Sequence, residues 1–96
     1  MLDALGSTPD QVAESLRAQG IKGIRNTVRN LNPIVRYARS ITTDTYGIDI
    51  IQGDKLRIIF ASGQMTEIPV PHAVQEFIDL FNRGRYPDLE LPVGTG

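Results

Sequence analysis

The sequence predicts an α+β domain in which N-terminal helices pack on a small three-stranded antiparallel sheet, followed by a C-terminal helix and an extended tail. Three observations predict this fold. Residues 9–40 repeat apolar side chains every three or four positions, which is typical of helices. Residues 46–68 change to β-branched runs separated by short glycine turns, as in a β-meander. Helical spacing then returns at residues 74–81.

The first helix is expected at residues 9–19. Thr8 is a suitable N-cap, Pro9 fits the first helical position, and Gln11 completes a capping box. Gly20 is a typical residue for ending a helix, because it adopts left-handed angles at little cost.

Two more helices are expected at residues 23–30 and 33–40. Pro33 separates them, because its ring removes a backbone donor and pushes Asn32 away from helical angles. Asn32 and Pro33 in turn suit the N-cap and first position of the second of these helices. The first one contains Gly23, a poor helix former. The apolar stripe that predicts it consists of Ile21, Ile24, Val28 and Leu31.

Three strands are expected to follow, joined by turns at Gly53 and Gly63. The strands are residues 46–51, 55–60 and 64–68. Alternation along the first two places one set of side chains toward the core. Tyr46, Ile48 and Ile50 share one face of the first strand, and Leu56, Ile58 and Phe60 point inward on the second.

The last helix is expected to begin at Pro71 and to end at Gly84, with an extended, non-helical tail behind it. Tyr86 and Leu89 stand in this tail. They either fold back on the domain or form an apolar patch that is offered to a partner. The sequence leaves both outcomes open.

Length and composition indicate a single domain over residues 1–96, with an ordered core at about residues 8–90 and a flexible end at 91–96. The chain is 41% apolar and contains no cysteine, so it is expected to fold by packing alone and to reside in the cytoplasm. No signal peptide and no apolar run of membrane-spanning length is recognised, and no membrane contact is expected.

Charge is distributed unevenly along the chain. Residues 15–43 carry six basic side chains and no acidic one, although the net charge of the whole chain is −1. Arginine forks suit the two-point binding of carboxylate or phosphate, so this segment is the predicted contact face. The predicted contact face consists of Lys22, Arg25, Arg29, Arg36, Tyr37 and Arg39.

Several functions fit such a face. The leading hypothesis is a small non-enzymatic adaptor that contacts an acidic protein surface. One alternative is a nucleic-acid-binding regulator with a helix-turn-helix over residues 9–31, although the pI near 5.7 is low for that class. Another is an accessory subunit of an enzyme, and homodimerisation through a sheet edge is also open. A further interpretation is a solvated face that pairs with acidic residues of the same chain.

Catalytic, metal and cofactor sites are not expected. His72 is the only histidine, and without cysteine a nucleophile–base pair or a metal site is hard to assemble. It is interpreted as a surface residue. Asp44, Asp49 and Asp54 lack the glycine and glutamate of a calcium loop.

Three local patterns resemble a known group of proteins. They are the GIKG-x-R sequence at residues 20–25, the P-x-x-R-Y sequence at 33–37, and the F-x-x-G-x-YPDL ending at 81–89. Together they resemble small uncharacterised proteins of high-GC bacteria and their phages. That group often has cysteine where this chain has Asn32, so a thiol-dependent role does not transfer. The resemblance implies one compact domain and no particular activity.

Overall fold

The structure, a computed structural model, describes residues 2–27 and 31–91. Its helices and strands are α1 (Pro9–Ala18), α2 (Pro33–Ile41), β1 (Thr45–Ile51), β2 (Lys55–Phe60), β3 (Met65–Pro69) and α3 (His72–Asn82). Short 3-10 helices cover Leu2–Leu5 and Pro87–Leu89. This order confirms the predicted α+β fold. Arg29 and the predicted flexible end beyond Leu91 lie outside the described residues.

The sheet is an antiparallel meander with the strand order β1-β2-β3. Ile48 lies opposite Ile58, and Ile50 lies opposite Leu56, so four large side chains share one face and are buried. The β1–β2 turn contains Gln52 at φ 56°, a left-handed angle, beside a glycine. The other sheet face carries the charged and half-buried side chains.

The core lies between this sheet face and the helices. The helix α1 contacts α3, and α2 contacts β1. Phe77 is fully buried and its ring lies 5.8 Å from that of Phe81 and 5.1 Å from that of Tyr86, measured between centroids. Offset aromatic pairs at this separation add to the stabilisation from apolar burial.

The helix α1 begins as its sequence predicts, with one difference in the cap. The backbone N–H of Gln11 donates to Thr8 Oγ1 at 3.2 Å, which makes Thr8 the N-cap. The side-chain oxygen of Gln11 accepts from the backbone N–H of Ser7 at 2.8 Å. A standard capping box would use the N–H of Thr8. In this helix the N–H of the preceding residue, Ser7, takes that place.

Both ends of the described chain contribute to the core. Leu2 and Leu5 are each 1% exposed, and Ser15 Oγ donates to the carbonyl of Leu5 at 2.7 Å. They precede the predicted core start at residue 8. In the tail, Tyr86 and Leu89 are also buried, so of the two predicted outcomes the tail folds back and forms a short 3-10 helix.

The helix predicted at residues 23–30 is wrong for the part that the structure describes. The N–H of Gly23 donates to the carbonyl of Leu89, and the Gly23 carbonyl accepts from Leu91, so this residue pairs with the tail. Asn26 has φ 63° and donates its N–H to the side chain of Asn82. These backbone groups bond to distant partners and cannot form a helical ladder.

The prediction that Tyr46 shares one face with Ile48 and Ile50 is also wrong, because those two side chains are buried and Tyr46 is not. Thr45 pairs with Phe60 and Gly47 pairs with Ile59, which leaves Tyr46 as the extra residue of a β-bulge. A bulge interrupts the two-residue alternation from which the orientation was predicted. Tyr46 is consequently 80% exposed, the most exposed large apolar side chain among the described residues.

Candidate functional site

The basic segment divides into two structurally different parts. Arg17 and Arg25 lie near the C-terminal tail and bind carboxylates of the same chain. Arg36 and Arg39 lie on α2, in a separate concavity. The six charges therefore do not form one helical face.

Arg17 joins α1 to the tail. Its Nε and Nη2 donate to the two oxygens of Asp88, the second at 3.3 Å, and its Nη1 donates to Glu14. The hydrogen bonds from Arg17 lower the pKa of Asp88 below its ordinary value, and the nearby charge of Lys22 acts in the same direction. The same hydrogen bonds raise the pKa of Arg17. This arginine has a structural role.

Arg25 and Lys22 lie on the irregular segment that replaces the predicted helix. Arg25 Nε lies 3.0 Å from Glu90 Oε1, beside the backbone pairing between Gly23 and the tail. Lys22 is exposed and interacts electrostatically with Asp88. The i, i+3, i+7 spacing of Lys22, Arg25 and Arg29 predicts a shared face only on a helix. Lys22 and Arg25 do not lie on a helix, so the spacing does not support a shared face.

Arg36 and Arg39 are positioned by the start of α2. Asn32 Oδ1 accepts from the N–H of Ile34 at 2.8 Å and from that of Val35 at 3.2 Å, which fixes the first turn of the helix. From that start, Arg36 and Arg39 follow at a spacing of three and so project from adjacent positions on one side.

We use the name basic concavity for the depression of about 480 Å³ that both arginines line, together with Gly20, Ile21 and Ser40. None of the described residues that line it is acidic. Arg36 is half-buried, and no ion pair within residues 2–27 and 31–91 includes it. The concavity therefore presents the positive charge of Arg36, which no ion pair within residues 2–27 and 31–91 neutralises.

Three members of the sequence-predicted sites do not present a surface. Tyr37 is 6% exposed, because it occupies the face of α2 that turns toward the core. Tyr86 and Leu89 are buried as well, so they do not form a partner patch. The Tyr86 hydroxyl donates to Asp10 Oδ1 at 2.9 Å.

A second depression, which we call the sheet groove, was not predicted from the sequence. It has a volume of about 360 Å³ and includes Tyr46, Gly47, Ile59 and Arg39. Arg39 thus lines both the basic concavity and the sheet groove. The exposure of Tyr46 depends on the bulge in β1. A glycine within a strand often marks a bulge, and Gly47 is the feature of the sequence that could have indicated this one.

The charged pair in the sheet groove is neutral as a unit. Arg57 Nε and Nη2 donate to the two carboxylate oxygens of Asp49 at 3.0 and 2.7 Å across the β1–β2 register. This two-point geometry raises the pKa of Arg57. Asp49 therefore places no unpaired negative charge in the groove.

His72 lies outside both depressions. Its side chain is 86% exposed at the start of α3, and its Nε2 lies 2.7 Å from Glu76 Oε1, one turn along the helix. Within the described part of the chain, no group of three His, Asp or Glu side chains could hold a metal ion. Nor does any helix there have the length and apolar character needed to cross a membrane.

Comparison with known proteins found no match. No protein-family model, no curated protein and no solved structure resembles this chain at a significant level.

Proposed function

We propose that this chain is a non-enzymatic binding domain that holds an acidic segment of a protein partner in the basic concavity. The observation that carries the proposal is the placement of Arg36 and Arg39 in one depression without an acidic residue among its described lining. Guanidinium groups bind carboxylates through two parallel hydrogen bonds, which gives orientation as well as attraction. Two adjacent arginines suit one or two acidic side chains.

The contrast with the other arginines supports this proposal. Arg17, Arg25, Arg57 and Arg83 each bind a carboxylate of the same chain. The first two pairs hold the C-terminal tail, the third joins β1 to β2, and the fourth links residues one turn apart at the end of α3. Arg36 has no such ion pair within residues 2–27 and 31–91, so a carboxylate from outside would meet a charge that needs no displacement.

A protein partner fits better than nucleic acid. Duplex binding usually relies on many phosphate contacts along a basic stripe and on a basic domain. Here the pI is about 5.7. Arg25 of the predicted contact face binds Glu90, and Arg17 of the same basic segment binds Asp88. The described residues 23–27 also do not form the recognition helix of a helix-turn-helix.

The test is an NMR titration of the isotope-labelled domain with a triglutamate peptide whose ends are blocked. We expect weak, salt-sensitive binding with amide shifts concentrated at Gly20, Ile21 and Ser40. The double variant Arg36→Gln/Arg39→Gln should lose these shifts. Arg83→Gln/Arg85→Gln is the matched control, because both side chains are exposed outside the basic concavity and this variant loses the same two positive charges.

Three results would contradict the proposal. The first is a titration in which the double variant and the wild type respond alike. The second is a DNA duplex that produces larger shifts at the same residues and displaces the peptide, which would favour nucleic acid as the partner. Absence of any shift at low salt would also contradict it.

A further inference from the structure

The basic concavity and the sheet groove meet at Arg39, which lines both. A ligand that reaches Arg39 from the first depression therefore lies at the entrance of the second. The sheet groove differs in chemistry, because its exposed ring is Tyr46 and its floor includes Gly47 and Ile59. A basic depression and a more apolar one are thus adjacent on one surface.

The apolar character of the sheet groove arises from two features of β1. The bulge turns Tyr46 outward, and Gly47 lies opposite Ile59 without a side chain to cover it. A Cβ placed on Gly47 would have no atom within 4 Å, so this part of the sheet face is open space. Ile59 is consequently only half-buried, between Gly47 and Met65 on the neighbouring strands.

Two charged side chains of the sheet groove neutralise each other. Asp49 and Arg57 form two hydrogen bonds with one another, so neither requires a charged ligand. An exposed tyrosine beside an aliphatic side chain suits an aromatic or aliphatic side chain of a partner, since tyrosine contributes a rigid apolar surface at low entropic cost. Charge complementarity fixes the other half of the ligand at Arg36 and Arg39.

We infer that the partner segment is a linear peptide in which an acidic residue stands a short, fixed distance from an aromatic or aliphatic residue. The acidic side chain binds Arg36 and Arg39, and the apolar side chain enters the sheet groove against Tyr46 and Ile59. This inference rests on the proposed function and adds the second specificity element to it. A peptide with acids alone would bind only through the basic concavity.

The test is selection from a display library of random linear peptides, repeated with three proteins. The wild type should enrich peptides that combine acidic and apolar residues at one spacing. Tyr46→Ser should retain the acidic preference and lose the apolar one. Leu31→Ser is the control, because Leu31 is 41% exposed and lines neither depression, and it should select the same peptides as the wild type.

Affinities of one selected peptide make the comparison quantitative. Replacing its apolar residue by serine should weaken binding about tenfold, as expected for the loss of one buried apolar side chain. Tyr46→Ser should weaken the original peptide to a similar extent and leave the serine peptide unchanged. A second variant, Gly47→Leu, should also weaken the original peptide, because the new side chain occupies open space in the groove.

The outcomes separate this inference from the proposed function. Enrichment of acidic residues alone would overturn the inference and leave the proposed function intact. An apolar preference that persists in Tyr46→Ser, or a selected peptide that Gly47→Leu binds as tightly as the wild type does, would also overturn the inference. Selection without acidic residues, or no selection at all, would overturn both.

Discussion

At the scale of single residues, Asn32 connects the irregular segment to the helix that carries the basic concavity. Its side chain is 1% exposed, which is unusual for an amide. Its oxygen caps α2, and its Nδ2 donates to the carbonyl of Thr27 at 2.9 Å. One buried side chain therefore satisfies backbone groups on both sides of Pro33, and it sets the start of the helix on which Arg36 lies.

Replacing Asn32 separates these two contributions. Asn32→Ala should lower the free energy of unfolding by about 2 kcal/mol, because it removes the cap and leaves the carbonyl of Thr27 without its donor. Asn32→Ser should cost about half as much, since a hydroxyl restores the cap but is too short to reach Thr27. Urea unfolding followed by circular dichroism measures both. Equal losses for the two variants would contradict the role assigned to the cap.

Tyr86 predicts how stability depends on alkaline pH. Burial, and secondly the hydrogen bond to the carboxylate of Asp10, raise the pKa of Tyr86 from 10.0 to about 12. Because the folded pKa is the higher one, the fold favours the neutral phenol. Its contribution is complete below pH 10 and is lost as the pH rises toward 12.

Unfolding measured over this range should show the effect as a difference between two proteins. We expect the free energy of unfolding of the wild type to fall more steeply between pH 10 and 12 than that of Tyr86→Phe, which has no phenol to ionise at this position. Below pH 10 the variant should be less stable by about 1 kcal/mol, because it lacks the hydrogen bond. Parallel curves would show that Tyr86 titrates normally.

At the scale of elements, the sequence predicts best where local chemistry decides the structure. The helices α1 and α3 follow from their periodicity and their proline starts, and α2 follows from Asn32 and Pro33. The meander follows from alternation and its glycine turns. Each of these signals acts within a few residues, so the sequence contains what is needed to recognise it.

The segment at residues 23–27 shows why other elements could not be predicted. Its apolar spacing is helical, but Gly23 pairs with the tail through Leu89 and Leu91, and Asn26 bonds to Asn82. These partners are more than fifty positions away, and no local pattern reveals them. A tertiary contact overrode a weak helical propensity.

Substitution of Gly23 tests how closely this segment packs against the start of α2. A Cβ at this position would lie 2.5 Å from Pro33 Cδ and 2.6 Å from the carbonyl oxygen of Leu31. Gly23→Ala should therefore lower the free energy of unfolding by about 1–3 kcal/mol, because the backbone at Gly23 or at Leu31 and Pro33 must move to make room for the new Cβ. Gly47→Ala, where no atom lies within 4 Å, is the matched control and should change stability by less than about 0.5 kcal/mol. Equal effects would contradict the close packing of Gly23 against the start of α2.

The candidate site was predictable only in part, for the same reason. The spacing of Arg36 and Arg39 on one helix is visible in the sequence. The opposite wall at Gly20 and Ile21 is not, because it depends on how the chain returns after α1. Nor could the alternation rule place Tyr46 correctly, since the bulge in β1 shifts its register.

At the scale of the whole molecule, the two parts of the basic segment make different contacts. The early part of the basic segment holds the C-terminal tail, through Arg17 on Asp88 and Arg25 on Glu90. The later part, Arg36 with Arg39, lines a depression whose described walls contain no carboxylate. Acidic residues of the tail therefore compensate the first part, whereas Arg36 in the second part has no ion pair within residues 2–27 and 31–91, and we propose that it binds an external carboxylate.

Charge reversal at Arg36 and Arg39 tests whether the second part of the basic segment binds an external carboxylate. The double variant Arg36→Glu/Arg39→Glu is titrated by NMR with blocked triglutamate and trilysine peptides, beside Arg85→Glu as a control. We predict that the double variant loses the triglutamate shifts at Gly20, Ile21 and Ser40 and gains trilysine shifts at the same amides, whereas the control behaves like the wild type. Triglutamate shifts that persist at these amides in the double variant would contradict the claim.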